Sequence, residues 1–176
     1  MSAMPATLLI VDNDVHVRKL LEVLLRGQGY QTLTAGSGKE ALAMVMQHAP
    51  DLILLDIQMP DMDGYAVARH FKGNSATANI PIIMLSAQSD QKARIAGLEA
   101  GAEDFLGKPI VSTELWLRVR NLLRLTAFGD YQADHSLMLE EQLEKCSTDL
   151  EQARTQSDSD KHLLHMTHYD SLTGLP

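Results

Sequence analysis

The sequence predicts an α/β fold, a doubly wound five-stranded parallel sheet in the order 2-1-3-4-5, followed by a long C-terminal helical stalk. Three observations predict it. Short apolar runs alternate with amphipathic helical stretches five times over residues 6–127, and short crossovers of fixed hand make such a sheet parallel with helices on both faces. The run Leu52-Ile-Leu-Leu55 is apolar at every position, which suits a strand covered on both faces, and it halts at Asp56. Beyond Gly129 aliphatic residues thin out, and Glu, Gln, Ser and Asp surround a residual heptad pattern.

The elements follow in order. Leu8 to Val11 reads as the first strand and runs into Asp12-Asn13-Asp14. Val15, Leu20, Leu21, Leu24 and Leu25 then form a helical stripe, with Asp14 as N-cap and Gly27 or Gly29 as stop. A short strand at about Tyr30 to Ala35 precedes Gly36-Ser37-Gly38 and a helix carrying Ala41, Leu42, Val45 and Met46, which Pro50 ends before the strand to Asp56. From Gly64, the residues Tyr65, Ala68 and Phe71 mark a third helix. The strand Ile80 to Leu85 runs into Ser86, and a helix from about Asp90 to Ala100 closes at Gly101. The last strand, Ala102 to Leu106, leads through Lys108-Pro109 into a helix starting near Ser112 or Thr113, with Glu114 early in its first turn.

Composition narrows the function classes. The 176 residues suffice for one domain plus an extension, and 45% apolar residues are enough for a core. A net charge of −8 argues against a nucleic-acid partner, which needs a clustered basic face. No apolar run is long enough for a membrane span, residues 1–7 lack the basic and apolar parts of a secretory signal, and the single Cys146 permits no intrachain disulfide, so a cytoplasmic protein is expected.

In an open α/β sheet the ligand site lies at the carboxyl edge of the strands, and the strand ends here supply Asp12, Asp14, Asp56, Ser86 and Lys108. Crowded carboxylates repel one another unless a cation joins them, and an oxygen-ligated site beside a phosphate is where Mg²⁺ is expected. Asp56 is then a carboxylate nucleophile for phosphorus. Mg²⁺ and Lys108 offset charge on the transferring oxygens, and Ser86 donates a hydrogen bond. Taken singly, a strand-end Asp is usually a turn or cap residue, Lys108 a solvated charge and Ser86 a cap; their convergence carries the reading. A dinucleotide site would want G-x-G-x-x-G after the first strand, where Asp12-Asn13-Asp14 would instead repel a pyrophosphate. A phosphatase of the haloacid dehalogenase type would want a second Asp where Gln58 stands.

These residues closely resemble the receiver domain of two-component response regulators over residues 6–127. The signs are the acidic region after the first strand, Asp56 followed by Met59-Pro60 and Gly64, Ser86-Ala87, and Gly101-Ala-Glu-Asp-Phe105 leading to Lys108-Pro109. The resemblance implies that Asp56 accepts phosphate from a sensor histidine kinase or phosphotransfer protein, that the bond before Pro109 is cis, and that Ser86 and Phe105 form the switch, the aromatic ring turning inward behind the hydroxyl. It implies a metal set of Asp12, Asp56 and the backbone carbonyl of Gln58, with Asn13 in the place of a second acid. Weaker Mg²⁺ binding is expected from that amide, since Asp14 as an N-cap faces the helix amides instead. Phe105 replaces the commoner Tyr, which removes a hydroxyl and leaves the rotation intact. A degenerate receiver acting only as a constitutive dimerisation module is the rival reading, with Asn13 its support.

In the extension, Leu139, Leu143, Cys146, Leu150, Ala153, Ser157, Asp160, Leu164 and Thr167 fall on one heptad seam, with Leu143 and Leu150 at a and Cys146 and Ala153 at d; backward it reaches Leu122 and Leu125. A surface helix packed on its own domain would show such a stripe too, but polar residues on every other side favour a parallel homodimer through residues 130–168. His162, His165 and His168 recur at helical spacing without a carboxylate or thiol companion, which favours a solvated face over a metal site. Asp170-Ser-Leu-Thr-Gly-Leu-Pro176 resembles the opening of a GGDEF domain. The expected organisation is a receiver at 6–127, a coiled-coil stalk at 128–168 and the start of a GGDEF-like output domain at 169–176. The resemblance implies a parent protein that is a diguanylate cyclase, a cyclic di-GMP phosphodiesterase or both, while this chain alone has no cyclase activity.

Overall fold

The computed structural model describes residues 4–87 and 91–170, with side chains to residue 163. The chain divides into two units, residues 1–127 and 128–176. The first contains β1 (Thr7–Val11), α1 (Val15–Arg26), β2 (Gln31–Ala35), α2 (Gly38–His48), β3 (Leu52–Asp56), α3 (Gly64–Gly73), β4 (Ile82–Ser86), α4 (Gln91–Glu99), β5 (Asp104–Gly107) and the start of α5 (Ser112–Asp170). The five strands form one parallel sheet in the order β2-β1-β3-β4-β5. This is the doubly wound arrangement, with a long C-terminal helix.

Period-two alternation along the strands sorts the core into two layers. Leu9, Val11, Ile53, Leu55, Ile82, Met84 and Phe105 point to the face covered by α2 and α3, where they meet Ala41, Val45, Val67, Ala68 and Phe71. Leu8, Ile10, Leu52, Leu54, Ile83, Leu85 and Leu106 point to the opposite face and meet Leu21 and Leu25 of α1 with Leu115 and Val119 of α5. The fully buried run Leu52 to Leu55 serves both layers, as a central strand must.

Local chemistry sets the boundaries. Asp14 caps α1 by accepting from the His16 amide at 2.8 Å, and Ser37 caps α2 through the Glu40 amide at 3.2 Å. Gly29 and Gly101 take left-handed φ values of +87° and +95° where chains turn out of α1 and α4, a region open to glycine. The peptide bond between Lys108 and Pro109 is cis.

Two helical stripes differ from the expected ones. In α1, Leu21 and Leu25 are buried, whereas Val15 is 43% and Leu20 49% exposed. In α2, Ala41 and Val45 are buried while Met46 is 66% exposed. Each helix is turned so that one member of an adjacent apolar pair faces the sheet and the other faces solvent. The strand before Ser86 starts at Ile82 rather than Ile80, because Pro81 has no amide to donate.

In the second unit, α5 runs through Gly129, and every described side chain from Phe128 to Leu163 is exposed. Residues 171–176 and the side chains of His165 and His168 lie outside the described residues.

Candidate functional site

The register of the sheet builds the site. Val11 of β1 pairs with Leu55 of β3, so Asp12 and Asp56, one residue further on each strand, leave the sheet side by side. Asp56 is level with Leu85 of β4, and Ser86 pairs with Gly107 of β5, which places Lys108 one step beyond. The Lys108 amide donates to the Ser86 carbonyl at 2.8 Å, fixing where its side chain begins. That side chain returns across the strand ends, and its ammonium donates to Asp12 Oδ2 at 2.8 Å and to Asp56 Oδ1 at 3.1 Å.

Both carboxylates are buried, Asp12 fully and Asp56 to 4% exposure. Asp12 is held on every side: its Oδ1 accepts from the Asp14 amide at 2.8 Å, its amide donates to the Ala35 carbonyl, and its own carbonyl accepts from Arg18 Nη1 at 2.6 Å. Burial pushes the Asp56 carboxyl above the usual aspartate range, and the charge of Asp12 pushes the same way; Lys108 and the Gln58 amide offset part of this. Burial works against the charge on Lys108, but hydrogen bonds from its ammonium to Asp12 and Asp56 hold it above the usual lysine range.

The backbone after Asp56 is pressed tight. The Ile57 amide donates to the Leu85 carbonyl, and the Gly64 amide to the Ile57 carbonyl at 3.0 Å. A β-carbon on Gly64 would overlap the Asp56 carbonyl oxygen and lie 2.7 Å from Ile57 Cα, so only glycine lets α3 begin there. Asp61, in the same loop, reaches the start of α2, where its carboxylate accepts from the Gly38 and Lys39 amides at 3.3 Å. What little desolvation it suffers is outweighed by amide donors, Lys39 and Gly38 foremost, and its carboxyl sits below the usual range.

The remaining expected site residues have distinct positions. Ser86 is buried at the end of β4, and Phe105 is 9% exposed, with its ring in the layer shared with Met84. Gln58 and Asn13 are exposed at the same rim. The Asp14 carboxylate is engaged with the His16 amide. Among the described residues no group of three or more His, Cys, Asp and Glu side chains comes together, so Asp12 and Asp56 make a pair. Two buried carboxylates, with Asn13 and Gln58 following them at the strand ends, offer oxygen donors of the kind that fit a small hard cation retaining several waters.

Arg18, Tyr65 and Asp61 escaped sequence reasoning. Each acts through a main-chain group brought near only by folding: Arg18 through the Asp12 carbonyl, Tyr65 through the Ala93 carbonyl at 3.1 Å, Asp61 through the α2 amides. The acid-rich Pro60-Asp-Met-Asp63 turn was the one sequence signal available for Asp61.

Known proteins resemble this chain in sequence and fold. Residues 8–120 match the family described as the response regulator receiver domain. The phosphate regulon transcriptional regulatory protein PhoB of Pseudomonas aeruginosa is 41% identical over 127 residues, covering 72% of this chain and 56% of its own length. The response regulator PleD of Caulobacter vibrioides is 45% identical over 121 residues, covering 69% of this chain and 27% of its own. The signal receiver domain of a signal transduction histidine kinase from Syntrophus aciditrophicus superposes with a TM-score of 0.64 at 38% identity, covering 68% of this chain and 90% of that one. The chain thus spans about half the length, or less, of these curated relatives. With this fold and a match over residues 8–120, the chain belongs to the response regulator receiver domain family.

Proposed function

We propose that this receiver is a phosphorylation switch in which Asp56 is the phosphoacceptor. The observation that carries the reading is the Lys108 ammonium bridging two buried carboxylates delivered by β1 and β3. An Asp56 carboxylate oxygen attacks phosphorus of a phosphohistidine on a sensor kinase or phosphotransfer protein; the new P–O bond forms as the P–N bond breaks, and the imidazole leaves with the electron pair. Lys108 stays within reach of the charge that gathers on the phosphoryl oxygens, and the Ser86 hydroxyl donates to one of them. Asp12, Asp56 and the Gln58 carbonyl are the groups that would hold Mg²⁺, which when bound neutralises phosphoryl charge. Asn13 adds no charge to that set.

The partner and output follow from the rest of the chain. In this proposal residues 6–127 are the receiver, 128–168 a parallel coiled-coil stalk joining two copies, and 169–176 the start of a GGDEF-like domain governing cyclic di-GMP. Support for the stalk is a helix whose described side chains from 128 to 163 are all exposed, Leu143 at 70% and Leu150 at 66% among them. Support for the output is the Asp170-Ser-Leu-Thr-Gly-Leu-Pro176 resemblance. Cytoplasmic location accords with the lack, among the described residues, of a helix long and apolar enough to cross a membrane.

Acetyl phosphate with Mg²⁺, followed by intact mass, tests the proposal. The parent should gain about 80 Da, the mass of one added phosphoryl group, and Asp56→Asn should not. No adduct on the parent favours a degenerate receiver that serves as a constitutive dimerisation module, the reading that Asn13 supports.

A further inference from the structure

Residues 57–63 carry the chain from Asp56 to the start of α3, and the Gln58 carbonyl stands among them. The two ends of this segment are fixed. The Ile57 amide donates to the Leu85 carbonyl at 3.1 Å, the Gly64 amide donates to the Ile57 carbonyl at 3.0 Å, and the Asp63 carboxylate caps α3 by accepting from the Tyr65 amide at 3.0 Å. The middle, where Gln58 is exposed, needs a hold of its own, because ordering backbone costs entropy that some contact must outweigh.

Asp61 supplies that contact. Its Oδ1 accepts from the Gly38 amide and its Oδ2 from the Lys39 amide, both at 3.3 Å, so one carboxylate spans the first two residues of α2. The rest of this helix end is served from within: the Ser37 hydroxyl accepts from the Glu40 amide, Glu40 Oε2 accepts from the Gly36 amide at 2.7 Å, and the Ala41 amide donates to the Ser37 carbonyl at 3.0 Å. The two amides given to Asp61 are among those an α-helix cannot satisfy by itself. The approach is also close. Gly38 is buried, and a β-carbon on it would lie 2.8 Å from Val67 Cγ2 and 3.1 Å from Cβ of Met62, the neighbour of Asp61. Only a residue without a side chain lets α2 come near enough for its amides to be reached, and α2 is in turn bound to the core through Ala41 and Val45.

We propose that Asp61 is a positioning residue for the metal site: by gripping the α2 amides it keeps residues 57–63 ordered, so that the Gln58 carbonyl is in place before Mg²⁺ binds. The inference rests on the donor set of Asp12, Asp56 and the Gln58 carbonyl proposed above. Without the grip, binding must also order the segment, so affinity falls while the chemistry of Asp56 at saturating Mg²⁺ is unchanged.

Backbone NMR relaxation and Mg²⁺ calorimetry on the full chain test this in the parent, Asp61→Ala and Asp61→Asn. In metal-free buffer the amide order parameters of Gln58, Met59 and Met62 should fall from about 0.85 in the parent to below about 0.6 in Asp61→Ala, with those of α3 unaltered. Mg²⁺ affinity should drop about fivefold, the factor for ordering one more backbone residue on binding. The Asp56 adduct should form more slowly at limiting Mg²⁺ and within about twofold of the parental rate at saturation. Removing a negative charge weakens Mg²⁺ binding too, but that effect fades in about 1 M salt, where screening acts within about 3 Å. The positional loss persists there, and Asp61→Asn, uncharged but with one acceptor oxygen left for an α2 amide, should lie closer to the parent than Asp61→Ala does. Unchanged order parameters in Asp61→Ala, an affinity loss that vanishes in high salt, or equal losses in the two variants there overturns the grip. A parent that binds no Mg²⁺ would instead overturn the donor set, and the metal-free order parameters would then decide the role of Asp61 by themselves.

Discussion

Asp56 is positioned at the expense of stability. Burial and the neighbouring Asp12 raise its pKa, so the folded protein holds the Asp56 proton more tightly than the unfolded chain does. The sign follows: ionised Asp56 detracts from stability above its folded pKa, and that penalty disappears as the pH falls below the ordinary aspartate range. Asp56→Asn in metal-free buffer should therefore raise Tm at neutral pH by about 2–4 °C, with Lys108 still paired to Asp12. The gain should shrink toward zero through the carboxylate range; a gain independent of pH would point to packing instead. At the neighbouring rim, Asn13→Asp would add a third carboxylate to the proposed Mg²⁺ donors Asp12 and Asp56. Ligand charge tunes the affinity of such sites, so calorimetric titration should show Mg²⁺ binding several-fold tighter, and equal affinities would refute a role for position 13. At this scale the sequence was legible where a residue stands at a strand end. Asp12, Asp56, Ser86 and Lys108 could be placed because apolar runs stop at or beside them. Arg18, Tyr65 and Asp61 could not, because a hydrogen bond to a distant main-chain group leaves no periodic trace.

Among the elements, strands were the more legible class. A run buried on both faces, such as Leu52 to Leu55, admits one reading of side-chain direction, whereas Leu20-Leu21 and Leu24-Leu25 are apolar doublets in which either member satisfies a helical period. Packing against the sheet chose Leu21 and Leu25 and left Leu20 half in solvent. Urea unfolding measures that choice. Leu25→Ala should cost about 2–5 kcal/mol, as large-to-small changes in a fixed core do, and Leu20→Ala less than about 1 kcal/mol. Equal costs would mean that α1 turns its other edge to the sheet. The same logic explains why α4 was readable in extent and not in attachment: its large apolar residues Ile95 and Leu98 face solvent, and it is held through Gly97, which has no side chain, and through the Ala93 carbonyl.

For the chain as a whole, the unanswered demand is apolar surface along α5. Leu139, Leu143 and Leu150 are 47%, 70% and 66% exposed, and polar residues occupy the other sides of the helix from there to Leu163. An isolated helix gains nothing from such a seam, whereas two parallel copies bury a and d residues together and place g and e charges within reach across the interface. In that register Asp149 at g approaches Arg154 at e of the partner, and Cys146 at d meets the second copy of itself. Cys146 is exposed and unpaired with any other cysteine, so the test needs no engineered residue. Mild oxidation of the full chain should give a dimer band on a non-reducing gel that thiol reverses and Cys146→Ser abolishes. Arg154→Glu should slow its formation several-fold by setting like charges against each other, and Asp149→Arg on the same chain should restore it. An antiparallel pair separates the two Cys146 sulfurs unless the crossing falls at that residue, and a packed-back helix hides the seam altogether, so a chain that stays monomeric throughout the oxidation excludes the parallel stalk while leaving the chemistry of the sheet edge untouched.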